Sequence, residues 1–226
     1  MTGPWKGYYE DGSLRYEAVF DAGKPTGLMK RYNPQGKLAV EMYFYKGGDR
    51  CRAKVYDEMG KITARGVYQS KVKDSVWHYY GAEGKLRLTE EYRKGILSGK
   101  TVSYYPSGKI SRKLNYSSGV KDGPWIQLFE NGDTMLTATY ASGMLHGPYL
   151  SYYPGGTTQI KGAYFDDLKD GDWIYYDEDG NLETRISYDR GEVKNPEALE
   201  EKYEGFIKRL EENAGNFPDP AKGDLQ

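Results

Sequence analysis

Aromatic and small residues return at a fixed interval along this chain. Glycine stands at 12, 36, 60, 84, 108, 132, 156 and 180, always 24 apart, with no insertion or deletion. Four residues before each lies Tyr8, Tyr32, Tyr56, Tyr80, Tyr104, Leu128, Tyr152 or Tyr176, and eight after comes Phe20, Phe44, Tyr68, Tyr92, Tyr116, Tyr140, Tyr164 or Tyr188. A period in this range marks a repeat protein, in which one supersecondary unit is copied and stacked. Eight units run from Gly3 to Lys194. Between the glycines the apolar positions are short runs rather than helical stripes, so each unit reads as strand, tight turn, strand, longer turn.

The tight turn is specified most clearly in Ser103-Tyr104-Tyr105-Pro106-Ser107-Gly108-Lys109-Ile110. Pro106 presets φ at the first corner, and Gly108 supplies the positive φ that follows, which defines a three-residue hairpin loop with a glycine bulge. Tyr105 should then pair with Lys109, and Tyr104 should stand opposite Ile110. Strict alternation from that register puts the recurrent Tyr, the Leu or Ile two after the glycine (Leu14, Leu38, Ile62, Leu86, Ile110, Leu182) and the late Tyr or Phe on one aromatic face. Glu17, Glu41, Arg65, Lys113, Lys161 and Arg185 would form a charged face with tryptophan at its margin. The second turn, as in Ser117-Ser118-Gly119-Val120-Lys121-Asp122-Gly123, carries two glycines and should be longer. The expected fold is mainly β: an elongated single-layer antiparallel meander of eight β-hairpin repeats, its sixteen strands spanning ~75 Å. The third copy departs most from the others, with Cys51 and Lys71 in place of glycines and Ser75 opening the next unit, so looser turns or altered curvature are expected there.

After Lys194 the period changes. Asn195 can cap a helix with Pro196 in its first turn, and Glu197, Glu200 and Glu201 suit the positive end. Leu199, Tyr203, Phe206, Ile207 and Leu210 make one apolar stripe. Residues 195–214 should form an amphipathic capping helix packed on the sheet, and 215–226 an extended tail. In repeats 1 to 4 the slot two before the recurrent Tyr holds Lys6, Lys30, Lys54 and His78, and in repeats 5 to 8 Val102, Ile126, Leu150 and Ile174. The helix is therefore expected to cross repeats 5 to 8, with Leu199, Phe206, Ile207 and Leu210 facing Ile126, Leu150 and Ile174.

Composition adds that the core is thin and aromatic: 23 Tyr, 29 Gly and a mean hydropathy of -0.83 leave little aliphatic mass. No window is apolar enough to span a bilayer as a helix, and no signal peptide is read at the start, so the chain either begins naturally at Met1 or has lost an export segment. A lone Cys51 excludes an intrachain disulfide framework. Net charge is -1, but residues 3–122 carry 23 Lys and Arg against 13 acidic residues, and residues 123–226 carry 9 against 20. This polarity suits an acidic partner for the basic half, or head-to-tail association. The basic half is too dilute for a nucleic-acid partner.

Catalysis needs unlike groups converging on one place. Here His78 fills a slot otherwise held by Lys or an aliphatic residue, His146 lies in a turn with no metal-ligand spacing, Cys51 has no histidine near it in sequence, and Asp177-Glu178-Asp179 belongs to a hairpin turn. No catalytic residue, metal site or cofactor is expected, and the chain reads as non-enzymatic. Candidate partner-binding residues are Trp5, Trp77, Trp125 and Trp173, which share one repeat position, together with Lys113 and Arg65. The tryptophans either shield the hairpin edge or form an aromatic ladder for a partner or a glycan.

The motif G-x-W-x-x-Y-Y-x-x-G-x-L, matched almost throughout by Gly171-Asp172-Trp173-Ile174-Tyr175-Tyr176-Asp177-Glu178-Asp179-Gly180-Asn181-Leu182, resembles the MORN-repeat variant family. In bacteria that family includes antitoxin-like chains of the YwqK type. The resemblance covers residues 3–194 and implies a β-hairpin meander with a binding or scaffolding role. The expected function is a protein-interaction scaffold, with the bacterial cell envelope favoured over the cytoplasm. An immunity or antitoxin protein that sequesters a toxin, and a glycan-binding module, are the alternatives, and peripheral contact with a membrane stays open. Choline- and glucan-binding repeats share Trp-Tyr-Tyr-Gly hairpins, but their units are nearer 20 residues.

Overall fold

A computed structural model describes residues 1–45 and 47–213. The chain divides into two units, Met1–Met144 and Leu145–Gln226. In the first, β1 (Gly3–Tyr8), β2 (Leu14–Asp21), β3 (Lys24–Tyr32), β4 (Leu38–Phe44), β5 (Arg50–Tyr56), β6 (Ile62–Gln69), β7 (Val72–Tyr80), β8 (Leu86–Arg93), β9 (Ile96–Tyr104), β10 (Ile110–Ser117), β11 (Val120–Leu128) and β12 (Thr134–Ala141) each pair antiparallel with the next. The division falls within the two-residue β13 (Met144–Leu145). The second unit holds β14 (Gly147–Tyr152), β15 (Thr158–Phe165), β16 (Leu168–Tyr176), β17 (Leu182–Asp189) and β18 (Glu192–Val193), again a consecutive antiparallel meander, followed by α1 (Pro196–Asn213). The expected mainly-β meander with one C-terminal helix is the fold found. The expected tail, 215–226, lies outside the described residues.

The hairpin turns form as their glycines dictate. The Tyr105 N–H donates to the Lys109 carbonyl at 2.8 Å, the Gly108 N–H donates to the Tyr105 carbonyl at 2.9 Å, and Tyr104 stands opposite Ile110. The same pair of bonds closes the loops from Tyr9 to Ser13 and from Tyr153 to Thr157. Where Asn33, Asp57 or Asp177 takes the place of the aromatic, the same backbone bonds form and the side-chain oxygen also accepts the backbone N–H four residues on.

The second turn is tighter than its sequence suggested. Ser118 (φ 50°) and Gly119 (φ 85°) are the two central residues of a hairpin in which Ser117 already pairs with Val120. Two successive positive φ values are the signature of a type I′ turn, whose twist matches that of the flanking strands. Gly123 (φ 99°), expected inside this turn, is instead a bulge within β11.

In the third copy, Cys51 replaces that bulge glycine, and β4 pairs with β5 without a register shift. The extra length moves into the turn, where Tyr45 bonds to Arg50. Ser70, Lys71 and Ser75 adopt positive φ without glycine's freedom.

Bulges also change which residues share a face, so strict alternation does not hold along each unit. Tyr8 pairs with Leu14, but the next pair is Gly7 with Tyr16, leaving Arg15 unmatched. Every unit repeats this shift, so the Leu or Ile after the turn stays with the recurrent Tyr while the late aromatic moves to the other side. Tyr68 therefore packs edge-on against Trp77, and Tyr164 against Trp173. Glu17 and Glu41 lie with the recurrent tyrosines, accepting bonds from Tyr32 and Tyr56. We call the side bearing the recurrent Tyr and the charges face A, and the side bearing Trp and the late Tyr or Phe face B. The core lies on face B, as Ala53, Ala64 and Trp77 in the first unit and Trp173, Tyr175 and Ile186 in the second.

The helix docks differently from expectation. Ala198 and Leu199 pack on the Trp173–Tyr175–Ile186 cluster of face B, not against Ile174 on face A. Asn195 turns its side chain to β17, accepting from the Ser187 N–H and donating to the Arg185 carbonyl, rather than capping α1. Lys202 lies over the Tyr175 ring. Beyond this first stretch Tyr203 is 61% exposed and Ile207 52% exposed, so Ile207 does not cover the strands. Ile174 stands between Lys161 and Arg185 in the register of the neighbouring strands.

Candidate functional site

The tryptophans separate into three environments, and the cause lies one strand away. The Trp77 indole rests on Gly66, where a Cβ would stand 2.3 Å from the ring, and its Nε1 donates to the Val67 carbonyl at 3.0 Å. Trp173 repeats this over Gly162, with Nε1 donating to the Ala163 carbonyl at 3.0 Å. These two side chains are 1% and 2% exposed. Across from Trp125 the corresponding residue is Leu114. The indole cannot settle onto the backbone there, and its Nε1 finds no partner among the described residues. Trp5, on the edge strand β1, is 44% exposed.

Face B is closed further by the chain's own lysines. The Lys73 ammonium lies 4.9 Å from the Trp77 ring, 5.1 Å from Tyr79 and 4.9 Å from Tyr92, and donates to the Tyr79 hydroxyl at 2.7 Å. Burial, reinforced by the nearby Tyr92 and Glu90, holds the Tyr79 hydroxyl far above its ordinary value. Lys169 repeats the arrangement over Trp173 and Tyr188, and Lys121 lies over Tyr140. A cation over two or three aromatic faces fills the place that a cationic or sugar ligand would need. Trp77 and Trp173, expected as partner-binding candidates, are therefore core residues, because glycine in the neighbouring strand lets the indole sink. Trp5 keeps exposed surface, and Trp125 is half-buried.

Face A presents a different chemistry. In the first two units acid and base are matched: Tyr32 donates to Glu17 at 2.7 Å with Lys30 3.9 Å from the same carboxylate, and Tyr56 donates to Glu41 with Lys54 3.9 Å away. Burial, and then the bond to the carboxylate, push both hydroxyls up to about 12. From the third unit the balance changes. Arg65 is exposed and lies 5.6 Å over the Tyr80 ring, bordering a groove with Lys61, Ile62 and Glu83. His78 beside it is held below the ordinary imidazole range by burial and by the Arg65 charge. Lys113 is exposed on the same face, opposite Val102 and Ile126. Among the described residues no carboxylate makes an ion pair with either Arg65 or Lys113. The structure thus brings Arg65 and Lys113 onto one face, about two hairpin spacings or ~19 Å apart. It places the tryptophans on the other.

The residues weighed for catalysis have structural partners. Burial pushes the Cys51 thiol up, away from the thiolate that acts as nucleophile. His146 Nδ1 lies 3.1 Å from Asp166, and its ring packs on Phe165. Among the described residues no three His, Cys, Asp or Glu side chains converge as a metal site would require.

One feature was missed from the sequence although its signal is present. Glycine lies eleven residues before Trp77 and before Trp173, while leucine lies eleven before Trp125. That difference separates the buried indoles from the half-buried one.

A meander of β-hairpins copied every 24 residues defines a repeat protein. Comparison places the repeat: the family model of the MORN repeat variant matches residues 1–22, 25–46, 97–118 and 169–190, so the chain carries MORN-variant repeats. Such repeats generally bind proteins or membranes. No curated protein matches the chain. Among solved structures, a crystal structure of a GtfA/B complex bound to UDP and GlcNAc matches at 16% identity with a TM-score of 0.23, over 48% of this chain. The chain spans about a fifth of the length of that protein, 21%, and a superposition so poor transfers neither fold nor function.

Proposed function

We propose that the chain is a non-catalytic scaffold that binds an acidic partner protein on face A of its first unit. The observation that carries this reading is the contrast between the faces. Face B is filled by the chain's own indoles, tyrosines and lysines, whereas face A exposes Arg65 and Lys113 without carboxylates to match them. A glycan-binding reading loses its ladder once Trp77 and Trp173 are buried.

Photo-crosslinking tests the assignment. A crosslinker placed at Arg65 or Lys113 should trap a protein partner, and one at the exposed Trp5, on face B, should not. Capture should weaken steeply as salt is raised to physiological strength, because exposed charges are screened. Arg65→Glu with Lys113→Glu should abolish capture while leaving the far-ultraviolet circular dichroism unchanged. Trapping that is salt-independent, or confined to the Trp5 side, would sink the assignment.

A further inference from the structure

A second surface lies along the edge formed by the type I′ turns. The residue just after each turn occupies one repeat slot, and in the first unit that slot holds Lys24, Gly48, Val72, Ile96, Val120 and Met144. The last four are aliphatic or thioether side chains, and all are exposed, Ile96 the most at 52%. Each turn is tied by its backbone to the preceding hairpin, as the Gly95 N–H donates to the Lys73 carbonyl and the Gly119 N–H to the Leu97 carbonyl. This brings each apolar side chain over the next turn glycine. A Cβ on Gly95 would stand 3.0 Å from Val72, and one on Gly143 would stand 2.9 Å from Val120. The result is a ladder with a rung every two strands, ~9.6 Å. Its first rungs are flanked by the exposed cations Lys71, Arg93 and Lys94.

The complementary element is α1. Its first turn is held by Ala198 and Leu199, and Asn195 pins the chain just before it. Beyond that turn Tyr203 and Ile207, one helical turn apart, are both exposed. The helix is acidic, with six glutamates against Lys202, Lys208 and Arg209. The stretch from Tyr203 to Asn213 is ~16 Å long, and the rungs Val72, Ile96 and Val120 span ~19 Å.

We propose that α1 of one copy docks on the Val72–Ile96–Val120 ladder of a second copy. Tyr203 and Ile207 meet the rungs, and the helix glutamates meet Lys71, Arg93 and Lys94. The contact joins different surfaces on the two copies, so a bound pair still carries one free helix and one free ladder, and assembly continues as a ring or an open chain. The opposite charges of residues 3–122 and 123–226 steer the same head-to-tail approach. This surface is separate from Arg65 and Lys113, so it stands or falls independently of the acidic partner.

The test is the mass of the full chain by analytical ultracentrifugation across a concentration series. At low salt the average mass should climb past that of a dimer, and high salt should return it towards the monomer. Ile207→Ser and Ile96→Ser, both at exposed positions, should each weaken association at least roughly tenfold with unchanged circular dichroism. Mixing the two variants should restore a complex that stops at the dimer, because the intact helix of one meets the intact ladder of the other and the remaining ends are both damaged. Three results would overturn the proposal: a monomer at every concentration, which includes a helix bound within its own chain; association indifferent to both substitutions; or a mixture that recovers nothing.

Discussion

Gly66 lies directly beneath the indole of Trp77, so close that a single added carbon would stand 2.3 Å from the ring. The cluster around that indole is the core of the first unit, so the cost of disturbing it should be large. Gly66→Ala is expected to destabilise the protein by ~1–3 kcal/mol through overpacking. Gly205→Ala, in α1 where nothing lies within 4 Å, is expected to stabilise the helix by about 0.5–1 kcal/mol. Urea denaturation of the two variants side by side checks the contrast, and a shift in the same direction for both would contradict it.

Gly108 has open space around it but a φ of 87°. Its replacement therefore tests backbone strain alone. Gly108→Val should cost ~1–3 kcal/mol, and Gly108→Asn distinctly less, because asparagine tolerates the left-handed region. Equal midpoints for the two variants would argue against this turn geometry.

The turn Ser70–Lys71 carries two positive φ values without a glycine, whereas most of the equivalent turns place glycine second. Lys71→Gly should therefore raise stability by about 1 kcal/mol. Thermal melts at matched ionic strength measure it, with Lys71→Ala, which keeps the strain, as the control for lost charge.

The Tyr32 and Tyr56 hydroxyls are pushed up to about 12 in the folded chain, first by burial and second by their hydrogen bonds to Glu17 and Glu41. In the unfolded chain tyrosine ionises near ~10. The folded state thus holds these protons more tightly, and the associated stability is intact below pH ~10 and declines as pH rises towards 12. Denaturation midpoints should fall over that window, and less steeply in Tyr32→Phe with Tyr56→Phe. Glu17→Gln should move one tyrosinate absorbance step to lower pH; an unmoved step would show that burial alone sets it.

Much of this architecture can be read from the chain. The glycine period specifies the turns, Pro106 and Gly108 specify the Tyr104–Ile110 register, and the change of pattern at Asn195 marks a helix found at Pro196–Asn213. What could not be read depends on single unmatched residues. Arg15 and its equivalents reverse the alternation, so Tyr68 joins Trp77 rather than Tyr80, and Arg65 joins Tyr80. The fate of a tryptophan depends on whether Gly66 or Leu114 lies across from it, a pairing that exists only once the strands are in register. The helix follows the same error: it meets Trp173 and Ile186 on the side that the reversal made apolar.

The reversal happens once in every unit and always at the same place, so the chain regains its orientation every 24 residues. Copy number is thereby freed from sidedness. Gaining or losing one whole unit leaves each neighbour with its partners on the correct side, whereas removing a single residue from within a strand turns everything up to the next turn inside out. Such a chain can lengthen or shorten only in whole steps, and its reach can change without its two surfaces being redesigned.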